Sequence, residues 1–196
     1  MSDETFQGVK IPPERYVQRI AAYRLPRYSE LPDLELYMDQ LITYVSGATA
    51  LLETSVDKPL TASMVNNYVK QGVMPRPQNK RYNRAHVAYL LAICILKRAY
   101  SLADIERLVE LQTCSAPLDR TYDFFCESFE TGLRMLFERA AGDRAPAERV
   151  LTATADDGGT GPKRVALAAA ASTAAKVYVD VELDWMQQSA QEGSAR

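Results

Sequence analysis

Apolar residues recur along most of the chain at intervals of three and four, which is the spacing of one face of an α-helix. Few segments alternate apolar and polar residues with a period of two, so little β-structure is expected. The stretch 73–83 has room for only two very short strands. The pattern therefore predicts an all-α protein with a minimal β-wing. The clearest helical stripes lie in residues 34–45, 65–69, 87–96, 122–140 and 167–185.

Breaks in the pattern divide the chain into five parts. Residues 1–32 are expected to be a tail and a short helix, and residues 33–112 a compact helical unit that holds the short strands. Residues 113–141 form a core helix that follows a proline break. Residues 142–162 are rich in glycine and acidic residues, which predicts a flexible connector. Residues 163–196 form a C-terminal helix and tail.

The second part contains a clear order of elements. Asp33 is expected to cap its first helix, with Leu34 and Tyr37 facing inward. Thr61 is a candidate N-cap for the next helix, because its hydroxyl can accept from a free backbone N–H. Gly72 can take the left-handed conformation that ends this helix, and a proline follows shortly afterwards. Residues 60–109 thus predict helix, tight stop, short basic hairpin, buried helix, turn and helix.

The helix after Thr61 has two different faces. Val65, Tyr68 and Val69 form an apolar stripe, and the opposite face carries amides, a hydroxyl and one cation but no acid. Amides can pair with adenine edges, and lysine can contact guanine or phosphate. The alternative is an ordinary solvated face, although such faces usually mix acidic residues with lysine. The polar positions are Ser63, Asn66, Asn67, Lys70 and Gln71.

Charge is concentrated in the centre of the chain. Residues 58–103 contain eight basic residues and no acidic residue, whereas both flanking segments are acidic and the whole chain has a net charge of −2. A polyanion would be attracted to this centre. We interpret residues 73–83 as a wing that follows a phosphate backbone, with Gln78 and Asn79 at its tip; the alternative is a surface loop that happens to be basic. Its candidate contacts are Arg76, Asn79, Lys80, Arg81 and Arg84.

The segments TASMVNNYVKQGVMPRP and KRYNRAHVAYLLAICILKRAYSLADIERL resemble the DNA-binding module of MerR-type regulators. The resemblance implies a winged helix-turn-helix followed by C-terminal helices. Asn66 and Asn67 stand where that family usually has arginine and tyrosine, which implies weaker phosphate contact there. The chain also resembles the bacterial family known as domain of unknown function 1836 over about residues 20–140, including LPRYSELPDLELYMDQLITYV. That family implies a fold and a DNA-binding role, but no established activity.

The C-terminal helix carries a heptad seam in which small residues come first and bulky residues later. Its partner is either the core helix of the same chain or the same helix of a second chain. MerR-type proteins dimerise through a helix that follows the DNA-binding module, so the resemblance favours a homodimer. The seam residues are Leu167, Ala171, Ala174, Tyr178, Val181 and Trp185.

No catalytic constellation is found, so the chain is not expected to be an enzyme or to need a cofactor. His86 is the only histidine, which excludes a site with several histidine ligands, and GGTGPK lacks the spacer of a P-loop. Three cysteines form no C-x-x-C pair, and an odd number favours free thiols in a cytoplasmic protein. Some MerR relatives sense metals or oxidants through cysteines, but a proline break separates Cys114 from Cys126, so no metal site is predicted. No segment is apolar enough to span a membrane.

The main hypothesis is a transcriptional regulator that binds duplex DNA as a homodimer. The alternative is a non-enzymatic protein-interaction module with a degenerate helix-turn-helix fold, whose basic face meets an acidic partner. A small-molecule effector, bound in a pocket lined by Tyr122, Phe124, Tyr178 and Trp185, is compatible with the main hypothesis. The residues expected to contact DNA are Thr61, Ser63, Asn66, Asn67, Lys70, Gln71, Arg76, Asn79, Lys80, Arg81 and Arg84.

Overall fold

A computed structural model describes residues 14–55, 57–137 and 161–194. These residues form seven α-helices and two short 3-10 turns, and they contain no sheet, so the all-α prediction is confirmed. The two very short strands expected in residues 73–83 are not formed there, and the described chain has only isolated β-bridges between Leu36 and Tyr82 and between Gln78 and Arg81. The 3-10 turns are Tyr28–Glu30 and Ala50–Leu52. The helices are α1 Glu14–Ala21, α2 Met38–Thr49, α3 Ala62–Lys70, α4 Arg84–Leu96, α5 Leu102–Ser115, α6 Leu118–Phe137 and α7 Gly161–Ser194.

Helix α4 is the centre of the core. Asn83 caps it by accepting a hydrogen bond from the backbone N–H of His86 at 3.4 Å. Nine of its thirteen residues are buried, on all sides of the helix, and α2, α6 and α7 pack around it. A helix that is apolar all round is stable only when it is enclosed. The sequence prediction of a buried central helix is therefore confirmed.

Helices α6 and α7 form the largest helix–helix contact in the described chain. A close approach occurs at Gly132, where a Cβ atom would lie 2.9 Å from the Cβ of Ala174. Three of the six predicted seam residues, Ala171, Ala174 and Val181, are buried, and the other three are partly buried. The predicted seam thus packs within one chain, because small residues on both helices allow their backbones to approach. A contact between two chains stays a prediction.

The connector between α1 and α2 is held to α6 by buried polar groups. Glu130 is 5% exposed, and its carboxylate accepts two hydrogen bonds from the Arg27 guanidinium at 2.7 and 2.6 Å. It also accepts from the backbone N–H of Leu25 at 2.7 Å, while the Tyr122 hydroxyl donates to the carbonyl of Pro26 at 2.9 Å. The hydrogen bond to Glu130 raises the pKa of Arg27. These hydrogen bonds hold the connector against α6.

Helix α2 begins at Met38, so the predicted start near Asp33 is wrong. Leu34 is 77% exposed and Tyr37 is 50% exposed, although both were expected to face inward. The reason is a backbone bridge, in which Leu36 and Tyr82 exchange two hydrogen bonds of 2.8 and 2.9 Å. This pairing needs an extended chain and therefore prevents a helix from forming before Met38.

Other boundaries differ less. Helix α6 begins at Leu118, four residues before the predicted start, and the α5 helix continues to Ser115. The predicted N-terminal tail and nearly all of the predicted connector at residues 142–162 lie outside the described residues. Within the described ranges, no helix is long and apolar enough to cross a membrane.

Candidate nucleic-acid interface

Helix α3 presents the polar face that the sequence pattern predicts. The Thr61 hydroxyl caps it by accepting from the backbone N–H of Met64 at 3.3 Å. Val65 and Tyr68 are buried, so the opposite side of the helix faces solvent. The face carries no acidic residue of its own helix, and all of its positions are exposed, namely Thr61, Ser63, Asn66, Asn67, Lys70 and Gln71.

The end of α3 fixes the direction of the hairpin that follows. Gly72 has a φ of +79°, a conformation that glycine adopts without steric cost. The backbone N–H groups of Val73 and Met74 donate to the carbonyl of Tyr68 at 3.0 and 3.3 Å. Both of these side chains are 1% exposed, so they anchor the chain in the core immediately after the turn. The acid Glu106 of α5 lies beside this turn, with its carboxylate 3.4 Å from where a Cβ of Gly72 would be.

The hairpin has a two-residue tip in an uncommon conformation. Asn79 and Lys80 both have positive φ values, 48° and 59°, as in the type I′ turn that matches the twist of paired strands. The backbone N–H of Arg81 donates to the carbonyl of Gln78 at 2.7 Å and closes the turn. The predicted tip of Gln78 and Asn79 is therefore displaced by one residue. Lysine is disfavoured at a left-handed position, because its Cβ crowds the backbone there.

The part of the hairpin that follows its turn is anchored to the chain before α2. Tyr82 is 3% exposed and forms the bridge to Leu36. The guanidinium of Arg81 lies 4.0 Å from the centre of the Tyr37 ring, a cation–π distance. Sequence reasoning missed Tyr37, because its spacing fitted the apolar stripe of a longer α2. Only the bridge to Tyr82 shows that Tyr37 lies at the surface beside the hairpin.

The basic residues of the central segment divide into paired and unpaired groups. Arg84 forms an ion pair with Asp33 at 3.0 Å, and Arg98 forms one with Asp57 at 2.8 Å. Acidic residues from outside the segment therefore neutralise part of its charge, which the sequence did not indicate. Among the described residues, no ion pair involves the exposed cations Lys58, Lys70, Arg76 or Lys80.

His86 has a structural position at the start of α4. Its Nδ1 lies 3.1 Å from the backbone N of Asn83, and its ring packs edge-on against Tyr82 with centroids 5.5 Å apart. Burial lowers the pKa of His86, which favours the neutral ring. An imidazole Nδ1 that accepts from Asn83 helps to close the capping box at the base of the hairpin.

The cysteines differ in their surroundings. Burial raises the pKa of Cys94 to about 11 and that of Cys126 to about 12, so both thiols are protonated at neutral pH. Cys114 is exposed. The ranges that the structure describes contain no group of three or more histidine, cysteine or acidic side chains placed to hold a metal ion.

The four aromatic residues of the predicted effector pocket have different neighbours. Tyr178 packs edge-on against Phe137, with centroids 5.0 Å apart, and Trp185 lies 6.0 Å from the Tyr16 ring. Tyr122 lines a separate cleft. Phe124 lies 5.1 Å from the Lys163 ammonium near the start of α7, whereas Tyr178 and Trp185 come 15 and 22 residues later on that helix. At 1.5 Å of rise per residue they lie roughly 22 and 33 Å further along it, so the prediction of one pocket shared by the four is wrong for the described chain.

Comparison with known proteins gives one family. The model of a family described as Domain of unknown function (DUF1836) matches residues 26–125, just over half of the chain's 196 residues. The match is shorter at both ends than the expected span of about 20–140. It extends from the connector before α2 into α6 and includes α3, the hairpin and α4. No curated protein and no solved structure matches the chain. The chain belongs to the family of domain of unknown function 1836.

Proposed function

We propose that this protein is a transcriptional regulator that binds duplex DNA through a MerR-like winged helix-turn-helix. In this proposal α2 and α3 are the two helices of the motif, α3 enters the major groove, and the hairpin is the wing. The amides of Asn66 and Asn67 would meet base edges. The phosphate contacts would come from Lys70, Arg76, Lys80 and Arg81. The proposal assigns no catalytic residue and no cofactor.

The observation that carries the proposal is the hairpin tip. Lys80 occupies a left-handed backbone position, where glycine is the favoured residue in a tight turn. A non-glycine residue in this region costs about 1 to 3 kcal/mol, and such costs are concentrated at functional sites. The charge of Lys80 is thereby held at the outermost point of a hairpin that Met74 and Tyr82 anchor at both ends.

The surface beside this tip supports the same function. Helix α3 leads directly into the hairpin, so its exposed amides and the unpaired cations belong to one continuous stretch of chain. Four phosphate contacts by one copy, from Lys70, Arg76, Lys80 and Arg81, would give a slope of about −3.6 in a plot of log affinity against log salt. A homodimer would double this slope, and dimerisation is part of the proposal because regulators of this type read paired half-sites.

The proposal is tested by fluorescence anisotropy with DNA from upstream of the protein's own gene, at several salt concentrations and with unrelated DNA as competitor. The test variant replaces Lys80 and Arg81 with glutamate. Its matched control is Arg120→Glu with Arg134→Glu, which changes the net charge equally at two exposed positions of α6. Circular dichroism establishes that both variants are folded.

We expect competitor-resistant binding by the unchanged protein and by the α6 control, and loss of binding by the hairpin variant. Normal binding by the hairpin variant would show that the wing assignment is wrong. Absence of DNA binding even at low salt would contradict the proposed function. The exposed cations would then be assigned to an acidic protein partner, as in the interaction-module alternative.

A further inference from the structure

The exposed residues of α7 lie on one face of that helix. Between positions 165 and 186 seven residues are exposed, and they recur at intervals of three or four, which is the spacing of one side of an α-helix. Only one of the seven is charged, whereas the solvated face of a helix is normally charged and polar. Four are large apolar residues that are 41% to 50% exposed. We call the seven the outer stripe, and they are Val165, Ala168, Ser172, Lys176, Val179, Leu183 and Met186.

The two polar members of the outer stripe have partners within the chain. The Ser172 hydroxyl donates to the carbonyl of Ala169 at 3.0 Å and lies 2.5 Å from the hydroxyl of Tyr100. The Lys176 ammonium forms an ion pair with Asp180, one turn further along α7. Another surface can therefore cover the stripe without leaving a polar group unpaired, which would cost free energy.

A groove of about 840 Å³ between α5 and α7 borders the first half of the stripe. Val165 lines this groove from α7, and Leu108 and Leu111 line it from α5. Leu111 is 38% exposed, so apolar surface continues from the stripe onto the neighbouring helix. A contiguous exposed apolar surface of this kind is typical of an interaction site.

Charge is divided between the two halves of α7. Residues 161–175 contain two basic residues and no acidic residue, and residues 177–188 contain three acidic residues and no basic residue. Two copies of α7 in antiparallel orientation bring each basic half beside an acidic half, whereas a parallel pair brings like charges together. The charge pattern of α7 is therefore complementary to that of an antiparallel copy of itself.

The side chains of the outer stripe are complementary in size in the same orientation. A two-fold axis midway between residues 175 and 176 places each smaller residue of the first half opposite a larger residue of the second half. Small residues leave holes into which the larger side chains of a facing helix insert. The opposed pairs are Val165 with Met186, Ala168 with Leu183, and Ser172 with Val179.

We propose that the outer stripe of α7 is the interface of an antiparallel homodimer, with Met186 of each copy beside the groove at Val165 of the other. The contact is isologous, because both copies use the same surface. Lys176 lies next to the two-fold axis, where Asp180 of its own chain offsets repulsion between the two ammonium groups. The inference rests on the homodimer of the proposed function and names its surface, but the dimer itself needs no DNA.

The test is sedimentation equilibrium of the full chain without DNA. The disrupting variant is Leu183→Glu, which puts a charge into the stripe. Its matched control is Leu34→Glu, which makes the same change at a 77% exposed leucine before α2. A third variant, Lys176→Leu, removes the only charge of the stripe. Circular dichroism establishes that each variant is folded, and Met186→Gln replaces Leu183→Glu if that variant is not.

We expect a dimer of the unchanged protein whose dissociation constant rises roughly a hundredfold or more in Leu183→Glu, because the new charge would lose its hydration on burial. It should not change in Leu34→Glu. In Lys176→Leu it should fall about tenfold or more, because a lysine in a helical seam lowers the stability of the assembly.

The orientation is tested by disulfide formation between cysteines introduced in a Cys114→Ser background, since Cys94 and Cys126 are buried. Ala168→Cys chains mixed with Leu183→Cys chains should form a cross-linked pair. Neither variant should cross-link alone. In an antiparallel pair the two copies of position 168 are 15 residues apart along the axis, or about 22 Å, which is too far for a disulfide.

The inference is overturned if the unchanged protein is monomeric at high micromolar concentration, or if folded Leu183→Glu dimerises equally well. Cross-linking of Ala168→Cys chains alone would contradict the antiparallel orientation, and a weaker dimer in Lys176→Leu would contradict the position of Lys176 at the interface. A dimer that binds no DNA supports this interface and contradicts the proposed function, whereas a monomer that binds DNA does the reverse.

Discussion

The hairpin tip allows a prediction in which stability and DNA binding change in opposite directions. Replacing Lys80 with glycine removes a Cβ from a backbone with φ of 59°. The left-handed conformation costs an L-residue about 1 to 2 kcal/mol relative to glycine. Ordering a glycine on folding costs about 0.4 to 1 kcal/mol more conformational entropy than ordering a residue with a Cβ, because glycine has more backbone conformations in the unfolded chain. The difference lies between roughly 0 and 1.6 kcal/mol, so we expect Lys80→Gly to stabilise the fold by about 0.8 kcal/mol.

The expected gain is measured by urea denaturation. With a slope of about 2 kcal/mol per molar urea, the midpoint should rise by roughly 0.3 to 0.5 M. Under the proposed function, DNA binding should weaken at the same time, because each copy would lose the phosphate contact assigned to Lys80. The salt slope should fall in magnitude by about 0.9 for each copy bound.

Two controls separate conformation from charge. Lys80→Asn removes the same charge, and asparagine tolerates the left-handed region better than most residues, so the salt slope should fall as in the glycine variant. Arg134→Gln removes one exposed charge from α6 and should change neither property. A lower midpoint for Lys80→Gly would refute the backbone argument. An unchanged salt slope would refute the placement of Lys80 at a phosphate.

Three further predictions concern the frame that supports this surface. Gly132→Ala should lower stability by about 1 kcal/mol. Overpacking against α7 costs about 1 to 3 kcal/mol, and the higher helix propensity of alanine offsets about 1 kcal/mol of that cost. In an Ala174→Gly background the same change should instead stabilise by about 1 kcal/mol, since the 2.9 Å contact is gone. Glu130→Gln should cost about 3 kcal/mol by urea denaturation, because it leaves the Arg27 guanidinium, 18% exposed, without its counter-charge. Burial lowers the pKa of His86 from 6.5, so the unfolded chain binds more protons on acidification and stability should fall from pH 7.5 to 5.5.

Each of these has its own control. Equal effects of Gly132→Ala in the two backgrounds would contradict the close packing of α6 on α7. Glu127→Gln changes an exposed carboxylate on the same helix and should cost less than about 0.5 kcal/mol. His86→Gln should reduce the loss of stability between pH 7.5 and 5.5, and identical pH profiles would show that this histidine does not contribute.

Much of the local structure follows from the sequence. The N-cap at Thr61, the glycine at position 72 and the cap at Asn83 act on the backbone within three residues, so short sequence patterns are enough to locate them. The burial of α4 on all sides was also predictable, because no solvated helix could carry so many apolar residues. These features place the exposed face of α3 and the hairpin next to each other.

The tertiary structure determined the features that depend on contacts between residues far apart in the sequence. The bridge between Leu36 and Tyr82 turns Tyr37 to the surface, and helical periodicity alone gives the opposite result. Asp33 neutralises Arg84, which lies 51 residues later in the sequence. Counting charges within residues 58–103 alone therefore overestimates the positive potential of that segment.

The same distinction explains the rest of the molecule. The cleft that Tyr122 lines among α4, α5, α6 and α7 depends on how four helices pack, and no periodicity in one helix determines its shape. A heptad seam likewise favours a partner helix of complementary shape. The pattern does not determine whether that helix belongs to the same chain or to a second chain. Sequence determined the elements and their faces through short-range hydrogen bonds and periodicity. Only long-range packing determined which charges remain free, which aromatic rings reach the surface and where a cleft opens.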